Sequence, residues 1–136
     1  MRFIYWMLAF LLILIVFSYK AHAAPTIAYY YDGDTVKIKD HNKTYKLRIN
    51  HIDAPERNQP YGKKARRALM QLCQNKSIKV IITGIDLYHR QLGELFCDQE
   101  NASSYMLKNG YAWFNTKYST KLDLADIEQY AKKNKK

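Results

Sequence analysis

The sequence predicts an α+β protein, mainly β, built as a small five-stranded Greek-key barrel with three helices. Three observations support this fold class. The chain has 136 residues, enough for one domain and not two. Five short segments have the composition or the alternation of strands. A clear helical period begins only after the third of them.

The first three predicted strands lie in the N-terminal half. Residues 27–31 are apolar and aromatic, and residues 32–34 are a turn signal. Residues 35–39 alternate between apolar and polar side chains, which predicts a second strand with one buried face. After a polar turn, residues 44–49 form the third strand and a hairpin with the second.

A helix with a basic face is predicted next, after a loop at residues 51–60 that contains two prolines. Its apolar positions recur at helical spacing and are Ala65, Leu69, Leu72 and Cys73. The positions between them are basic and are Lys63, Lys64, Arg66 and Arg67. The pattern indicates one face for the core and one for a negatively charged partner.

The C-terminal half completes the set of elements. Strands are predicted at residues 78–83 and 94–97, and helices at residues 102–108 and 122–133. Asn109-Gly110 would cap the first of these helices. Five strands with a helix after the third fit a barrel of the OB type, an architecture that many nucleic-acid-binding proteins use.

The N-terminus has the pattern of a secretory signal. Arg2 precedes the uncharged residues 3–19, and small residues stand at the Ala-x-Ala site before Ala24. We expect cleavage between Ala23 and Ala24. The alternative is an uncleaved membrane anchor, since the apolar run exceeds the length of most signals but falls short of the ~20 residues that span a bilayer.

This pattern divides the chain into a signal peptide or anchor at residues 1–23 and one folded domain at residues 24–136. In either case the folded domain leaves the cytoplasm, as a periplasmic or secreted protein or as one tethered through residues 3–19. The sequence shows no oligomer, and a monomer is the default expectation.

Positive charge is concentrated in one part of the chain. The formal net charge is +10, and residues 41–90 contain eleven Lys and Arg against three carboxylates. Such a stretch suits a polyanion, either a nucleic acid or an anionic membrane surface. The alternative is an ordinary solvated surface, and charge alone does not decide between them.

The two cysteines, Cys73 and Cys97, favour a disulfide in an exported protein. A bridge would add roughly 3 kcal/mol on the chain-entropy model. The alternative is a pair of buried thiols. The four histidines show no metal-ligand spacing with each other or with the cysteines, which argues against zinc.

Two carboxylates stand out against the basic stretch. Arg48 alternates with apolar neighbours on the third strand, and Asp53 and Glu56 follow where that strand ends. Pro55 stiffens the loop between them. An exposed acidic loop is the plainer interpretation. However, carboxylates within a basic region are what a hard cation needs in order to bind there beside a phosphate.

Several motifs, in order, make the chain resemble the thermonuclease (staphylococcal nuclease-like) family. They are Asp32-Gly33-Asp34-Thr35, Arg48 with Ile52-Asp53-Ala54-Pro55-Glu56, Gln59-Pro60-Tyr61-Gly62, Asp86-x-Tyr88-x-Arg90, and Asn109-Gly110-Tyr111-Ala112-Trp113. No single motif is specific, but the ordered set covers about residues 28–133. The resemblance implies an OB-type barrel and Ca²⁺-dependent hydrolysis of phosphodiester bonds in DNA and RNA, with little sequence preference.

The resemblance also implies roles for individual residues. Asp34, Asp53 and the backbone carbonyl of Ala54 would hold the calcium ion. Glu56 would activate the attacking water, and Arg48 and Arg90 would grip the scissile phosphate. The expected substrate-binding residues are Tyr88, Tyr118, Lys63 and Lys64. Calcium and two guanidinium groups would offset the charge that hydrolysis places on the phosphoryl oxygens.

Three departures from the family's pattern qualify the resemblance. Ala54 stands where a threonine is found, which a backbone ligand would tolerate. His89 stands where a glycine is common, so the direction of the Arg90 side chain depends on the φ angle of residue 89. The loop at residues 57–59 is short. A non-catalytic nucleic-acid-binding module on the same barrel is the alternative function.

Overall fold

The structure, a computed structural model, describes residues 1, 3–7, 10, 23–117, 119–134 and 136. The expected signal or anchor therefore lies mostly outside the described residues, as does Tyr118. Residues 3–7 are helical. Within the described ranges, none of the helices has the length and apolar character needed to cross a membrane.

The described part of the folded domain contains eight strands and three helices. The strands are β1 (Thr26–Tyr30), β2 (Thr35–Asp40), β3 (Lys43–Ile49), β4 (Ile52–Asp53), β5 (Ile78–Ile85), β6 (Gln91–Cys97), β7 (Glu100–Asn101) and β8 (Trp113–Phe114). The helices are α1 (Gly62–Cys73), α2 (Ala102–Lys108) and α3 (Leu122–Lys133).

The five long strands form one sheet in the order β1-β2-β3-β6-β5. β1, β2 and β3 pair antiparallel, β3 and β6 pair parallel, and β5 and β6 pair antiparallel. The parallel pair arises because α1 and β5 come between β3 and β6 in the chain. This order agrees with a Greek-key arrangement.

The core lies between the inner face of this sheet and the three helices. Alternation along β2 and β3 buries Val36, Ile38, Leu47 and Ile49, each with no exposed surface. Against them pack the apolar face of α1 and the buried residues of α2, which are Ala102, Met106 and Leu107 among the apolar ones. Apolar burial of this kind supplies most of the stabilising free energy of a domain this size.

A disulfide joins the last residue of α1 to the last residue of β6. Cys73 and Cys97 are both buried, and they are 24 residues apart in the chain. The bond therefore ties the helix with the basic face to the strand that follows the Arg90 loop.

The expected five-stranded barrel with three helices differs from the structure in detail. The mixed, mainly β architecture is confirmed, but the sheet is a curled half-barrel, since no described residues of β1 and β5 pair with each other. Three further strands, β4, β7 and β8, are two residues long, too short to show a period in the sequence. Residues 3–7 add helix beyond the three helices expected.

Candidate active site

The first part of the site is the loop between β1 and β2, which carries two buried carboxylates. Asp32 and Asp34 are 7% and 5% exposed. The backbone N–H of Asp34 donates to Asp32 Oδ1 at 3.0 Å, and the Thr35 hydroxyl donates to Asp34 Oδ1 at 2.9 Å. These bonds fix the orientation of the Asp34 carboxylate.

Gly33 lets this loop pack under its neighbours. A Cβ there would lie 2.8 Å from the Cβ of Ala54 and 2.9 Å from the Cβ of Ala65 on α1. The sequence alone favoured an ordinary Asp-Gly turn. The structure gives the glycine a different reason, because the Asp34 loop, the Ala54 loop and α1 meet at this point.

Arg48 lies between two carboxylates. Its Nη2 is 3.3 Å from Asp34 Oδ2 and also forms an ion pair with Asp53 Oδ1. Its Nη1 donates to the carbonyl oxygens of Ile49 and Ile52, both at 2.7 Å. With a side chain only 14% exposed, Arg48 is the internal counter-charge of the Asp34–Asp53 pair.

The pKa of the Asp34 carboxyl is raised from its ordinary value. Burial raises its pKa to about 7, against the lowering effect of the Arg48 guanidinium. The neighbouring Asp32 carboxylate raises the pKa further, and a hydrogen bond from the Ala54 N–H lowers it. A buried carboxylate of this kind is stabilised by positive charge, which is the property that a cation site requires.

The second loop of the site contains Ala54 and Glu56. The Ala54 N–H donates to Asp34 Oδ2 at 2.6 Å, so this loop is bonded directly to the first. The Glu56 N–H donates to Gln59 Oε1 at 2.8 Å, and the Gln59 N–H returns a bond to the Glu56 carbonyl at 2.9 Å. These two bonds fix the backbone of Glu56. The residue itself is exposed to solvent.

The third loop, between β5 and β6, holds Arg90. Arg90 Nε donates to Asp86 Oδ2 at 2.7 Å, and Asp86 Oδ1 accepts from the backbone N–H groups of Tyr88 and Arg90. Partial burial acts to raise the pKa of Asp86, but these hydrogen bonds prevail and lower it. Asp86 is therefore an ionised anchor that sets the direction of the Arg90 side chain.

Strand register relates Arg90 to Arg48. Arg48 is opposite Leu92 in the parallel β3–β6 pair, and Arg90 lies two residues before Leu92. Arg48 alternates with the buried Leu47 and Ile49 and so lies on the outer face of the sheet, and the turn that contains Arg90 leads into β6 beside it. The intervening His89 has φ 59°, the left-handed conformation that a glycine would adopt more readily.

The structure describes three of the four expected substrate-binding residues, Lys63, Lys64 and Tyr88. Lys63 and Lys64 are exposed on α1, and Lys64 borders a cleft of about 930 Å³ that Tyr61, Tyr111 and Trp113 also line. Tyr88 is 79% exposed, and the Arg90 guanidinium lies 5.6 Å from its ring centre.

Oxygen donors make the Asp34–Asp53 pair chemically suited to a hard cation such as Ca²⁺. Both carboxylates share one positive group, the Arg48 guanidinium. Three or more His, Cys, Asp or Glu residues do not converge on one point within the described ranges. Backbone oxygens, waters and the substrate itself would have to complete such a shell.

The sequence did not single out a second charged cluster on the same face. Glu94 on β6 forms an ion pair with Lys121, and its Oε1 is 3.4 Å from His51 Nε2. The hydrogen bond from Lys121 lowers the pKa of Glu94. These three residues come from distant parts of the chain and have no common motif, so only the fold reveals them.

Comparison with known proteins identifies the family of the chain. The family model described as staphylococcal nuclease homologue matches residues 46–136. The chain belongs to this family. The matched segment contains Arg48, Asp53, Glu56 and Arg90, and the loop with Asp34 comes before it.

Individual relatives have related descriptions. An uncharacterized endonuclease of Escherichia coli O157:H7 is 30% identical over 129 residues, which cover 92% of this chain and 84% of the relative. A probable staphylococcal-like nuclease of Oryza sativa subsp. japonica is 42% identical over 94 residues, covering 69% of this chain. The match spans only 28% of that plant protein. An uncharacterized endonuclease of Haemophilus influenzae is 36% identical over 89 residues, 65% of this chain and 50% of the relative.

Proposed function

We propose that the protein is a Ca²⁺-dependent nuclease that hydrolyses phosphodiester bonds of DNA and RNA with little sequence specificity. The observation that carries the proposal is the Arg48 guanidinium between Asp34 and Asp53, in a cluster that the Ala54 N–H joins to the Glu56 loop. Membership of the family supports a nuclease. Calcium, the substrates and the residue roles belong to the proposal.

Asp34 and Asp53 would hold the calcium ion, together with the backbone carbonyl of Ala54. When bound, calcium would supply positive charge for the phosphoryl oxygens. The contact that the structure shows for Ala54 runs through its N–H group. Once the two carboxylates have another counter-charge, Arg48 has N–H groups available for a phosphate oxygen.

The remaining chemistry is assigned to side chains of this chain. Glu56 accepts a proton from the attacking water, whose oxygen forms the new bond to phosphorus. The bond from phosphorus to the leaving sugar oxygen breaks, and that oxygen takes up a proton from solvent. Arg48 and Arg90 stabilise the negative charge that accumulates on the phosphoryl oxygens in the transition state.

Substrate selection follows from the same contacts. Lys63, Lys64 and Tyr88 would hold the flanking nucleotides, and Tyr118 is proposed for the same role. Contacts to phosphate contain no base information, so cleavage at many sequences is expected.

The direct test is digestion of plasmid DNA and of RNA with calcium and then with an excess of chelator. We expect cleavage of both substrates with calcium and none with chelator. Binding without cleavage in either condition would instead favour a non-catalytic nucleic-acid-binding module on the same fold.

We also propose that the domain at residues 24–136 is exported as a monomer, with residues 1–23 as signal or anchor. The Cys73–Cys97 disulfide supports an oxidising compartment. N-terminal sequencing of the protein recovered from cell fractions tests this. A chain beginning at Ala24 in the periplasm or medium is expected, and an intact N-terminus in the membrane fraction would indicate the anchor.

A further inference from the structure

The segment from Trp113 to Lys121 begins beside the candidate active site. Trp113 on β8 is directly opposite Asp53 on β4, and both residues are exposed. Residues in such an antiparallel pair have their Cβ atoms about 5 Å apart on the same face. The segment therefore leaves β8 next to one of the two carboxylates proposed for calcium.

The first end of the following loop is held by the turn between β3 and β4. The Asn115 N–H donates to the His51 carbonyl oxygen at 2.8 Å. Just before it, the Phe114 N–H donates to Glu128 Oε1 on α3 at 2.9 Å. These bonds fix the chain up to residue 115. We name residues 115–121 the 115–121 loop.

The second end of the loop is held by Glu94. Lys121 Nζ donates to Glu94 Oε1 and forms an ion pair with it. Gly93 and Leu95 are buried on either side, so the Glu94 side chain lies on the outer face of β6. The hydrogen bond from Lys121 lowers the pKa of Glu94, so the carboxylate is ionised when it holds the lysine.

The two anchors of the loop also contact each other. Glu94 Oε1 lies 3.4 Å from Nε2 of His51, the residue whose carbonyl oxygen holds Asn115. The side chains of Glu94 and His51 are 16% and 15% exposed. Both ends of the 115–121 loop are therefore held at one place, which restricts the residues between them.

Strand register places the Glu94 anchor near Arg48. Arg48 is opposite Leu92 in the parallel β3–β6 pair. Glu94 follows Leu92 by two residues on the same outer face, about 7 Å along the strand. The 115–121 loop contains the exposed Lys117 and also Tyr118, one of the expected substrate-binding residues. The loop thus borders the site on the side where substrate is expected.

We propose that Glu94 is a positioning residue that, with Lys121 and His51, holds the 115–121 loop where it contacts the nucleic acid. Glu94 does not touch the substrate, since its negative charge would repel phosphate. A loop already held in its bound conformation loses less entropy on binding, so the anchor strengthens substrate binding and leaves the chemical step unchanged. This inference rests on the proposed nuclease function and adds a residue to it.

Glu94→Gln is the sharpest test, because the anchor and the electrostatic field predict opposite signs. Removing a negative charge near a polyanion should tighten binding if only the field matters. Loss of the anchor should instead raise the Kd for a short labelled DNA oligonucleotide about fivefold, measured by fluorescence anisotropy in excess chelator. With calcium, KM should rise by a similar factor, and kcat should stay within about twofold.

Two further variants and a control complete the test. Lys121→Met breaks the same pair and should also raise the Kd about fivefold. The matched control is Lys132→Met, because Lys132 pairs with Glu128 at similar exposure. It loses the same charge without the anchor, so its Kd should change by less than about twofold. Combining Glu94→Lys with Lys121→Glu keeps the net charge and should restore the Kd to within about twofold of the wild type.

The positioning role is overturned if Glu94→Gln binds as tightly as the wild type or more tightly, or if the exchanged charges fail to restore binding. Should Glu94→Gln not fold, equal Kd values for Lys121→Met and Lys132→Met overturn it. Because the Kd is measured without turnover, this result is separate from the nuclease assay. Weakened binding in a protein that never cleaves would support the anchor and remove the nuclease. Cleavage with unchanged Kd and KM in Glu94→Gln would do the reverse.

Discussion

The two arginines expected to grip the phosphate are held very differently. Arg48 is almost buried and contacts two carboxylates and two backbone carbonyls. Arg90 pairs with Asp86 and lies over the Tyr88 ring, and its side chain is 29% exposed. Arg48 is part of the internal structure of the site, whereas Arg90 is a partly exposed side chain whose direction is set by a turn. This difference predicts that the two arginines, which share a proposed role in catalysis, differ in their contribution to stability.

The largest expected effect is on the rate of cleavage, and it should be similar for substitutions of Arg48 and Arg90. Arg48→Ala, Arg90→Ala and Glu56→Gln should each lower kcat for a single-stranded oligonucleotide by at least about 100-fold, because each removes a group that acts in the transition state. Nucleic-acid binding in chelator should remain within a few-fold. Unchanged turnover in all three variants contradicts the mechanism.

The second effect is on stability, and it should differ between Arg48 and Arg90. Arg48→Ala should lower the free energy of unfolding by about 3 kcal/mol, because it leaves a buried carboxylate without its counter-charge. Arg90→Ala should cost less than about 1 kcal/mol, as for a partly exposed ion pair. Urea unfolding in chelator at pH 8 measures both. Equal losses would show that the contrast in burial has no energetic consequence.

The third effect concerns pH, and its sign follows from the raised pKa of Asp34. The pKa of Asp34 is about 7 in the folded state, against an ordinary value of 3.8, so the folded protein binds this proton more tightly. Asp34 therefore makes the protein less stable as the pH rises from about 4 to about 7, with no further change above.

Asp34→Asn tests that sign. The variant should be more stable than the wild type at pH 8 by about 1–3 kcal/mol, since a strained functional carboxylate is removed. The gain should disappear at pH 4. Urea unfolding of both proteins between these pH values measures it, and a gain that does not vary with pH would refute the assignment to Asp34.

The smallest effect lies in the Arg90 turn. His89 has φ 59°, so His89→Gly should raise the free energy of unfolding by up to about 1 kcal/mol. Leu87→Gly in the same loop is the control, because Leu87 is 96% exposed and its φ is not positive, and it should not stabilise. Thermal unfolding compares the two. Destabilisation by His89→Gly would mean that the histidine side chain has a contact of its own.

The sequence predicted much of this architecture because its signals are local. The alternation around Ile38 and Leu47 gave two strands, and the spacing of apolar residues gave α1. α2 and α3 form over the residues expected. The strands β4 and β8 were missed because two-residue pairings between distant segments, here Asp53 with Trp113, leave no local pattern.

Three residues of the candidate site could be predicted from the sequence, but the pairing of their side chains could not. Resemblance to a family named Asp34, Arg48 and Asp53, and the structure brings these three together. It did not indicate that Arg48 would satisfy both carboxylates, because side-chain pairing depends on tertiary packing.

The central claim is the proposal that Asp34 and Asp53, which both pair with Arg48, form a calcium site. Isothermal titration of the full chain with calcium, at pH 8 and without nucleic acid, tests it most directly. The account predicts binding at one site per chain in the wild type, and loss of that binding in Asp53→Asn. No calcium binding to the wild type, or equal binding to the variant, would contradict it.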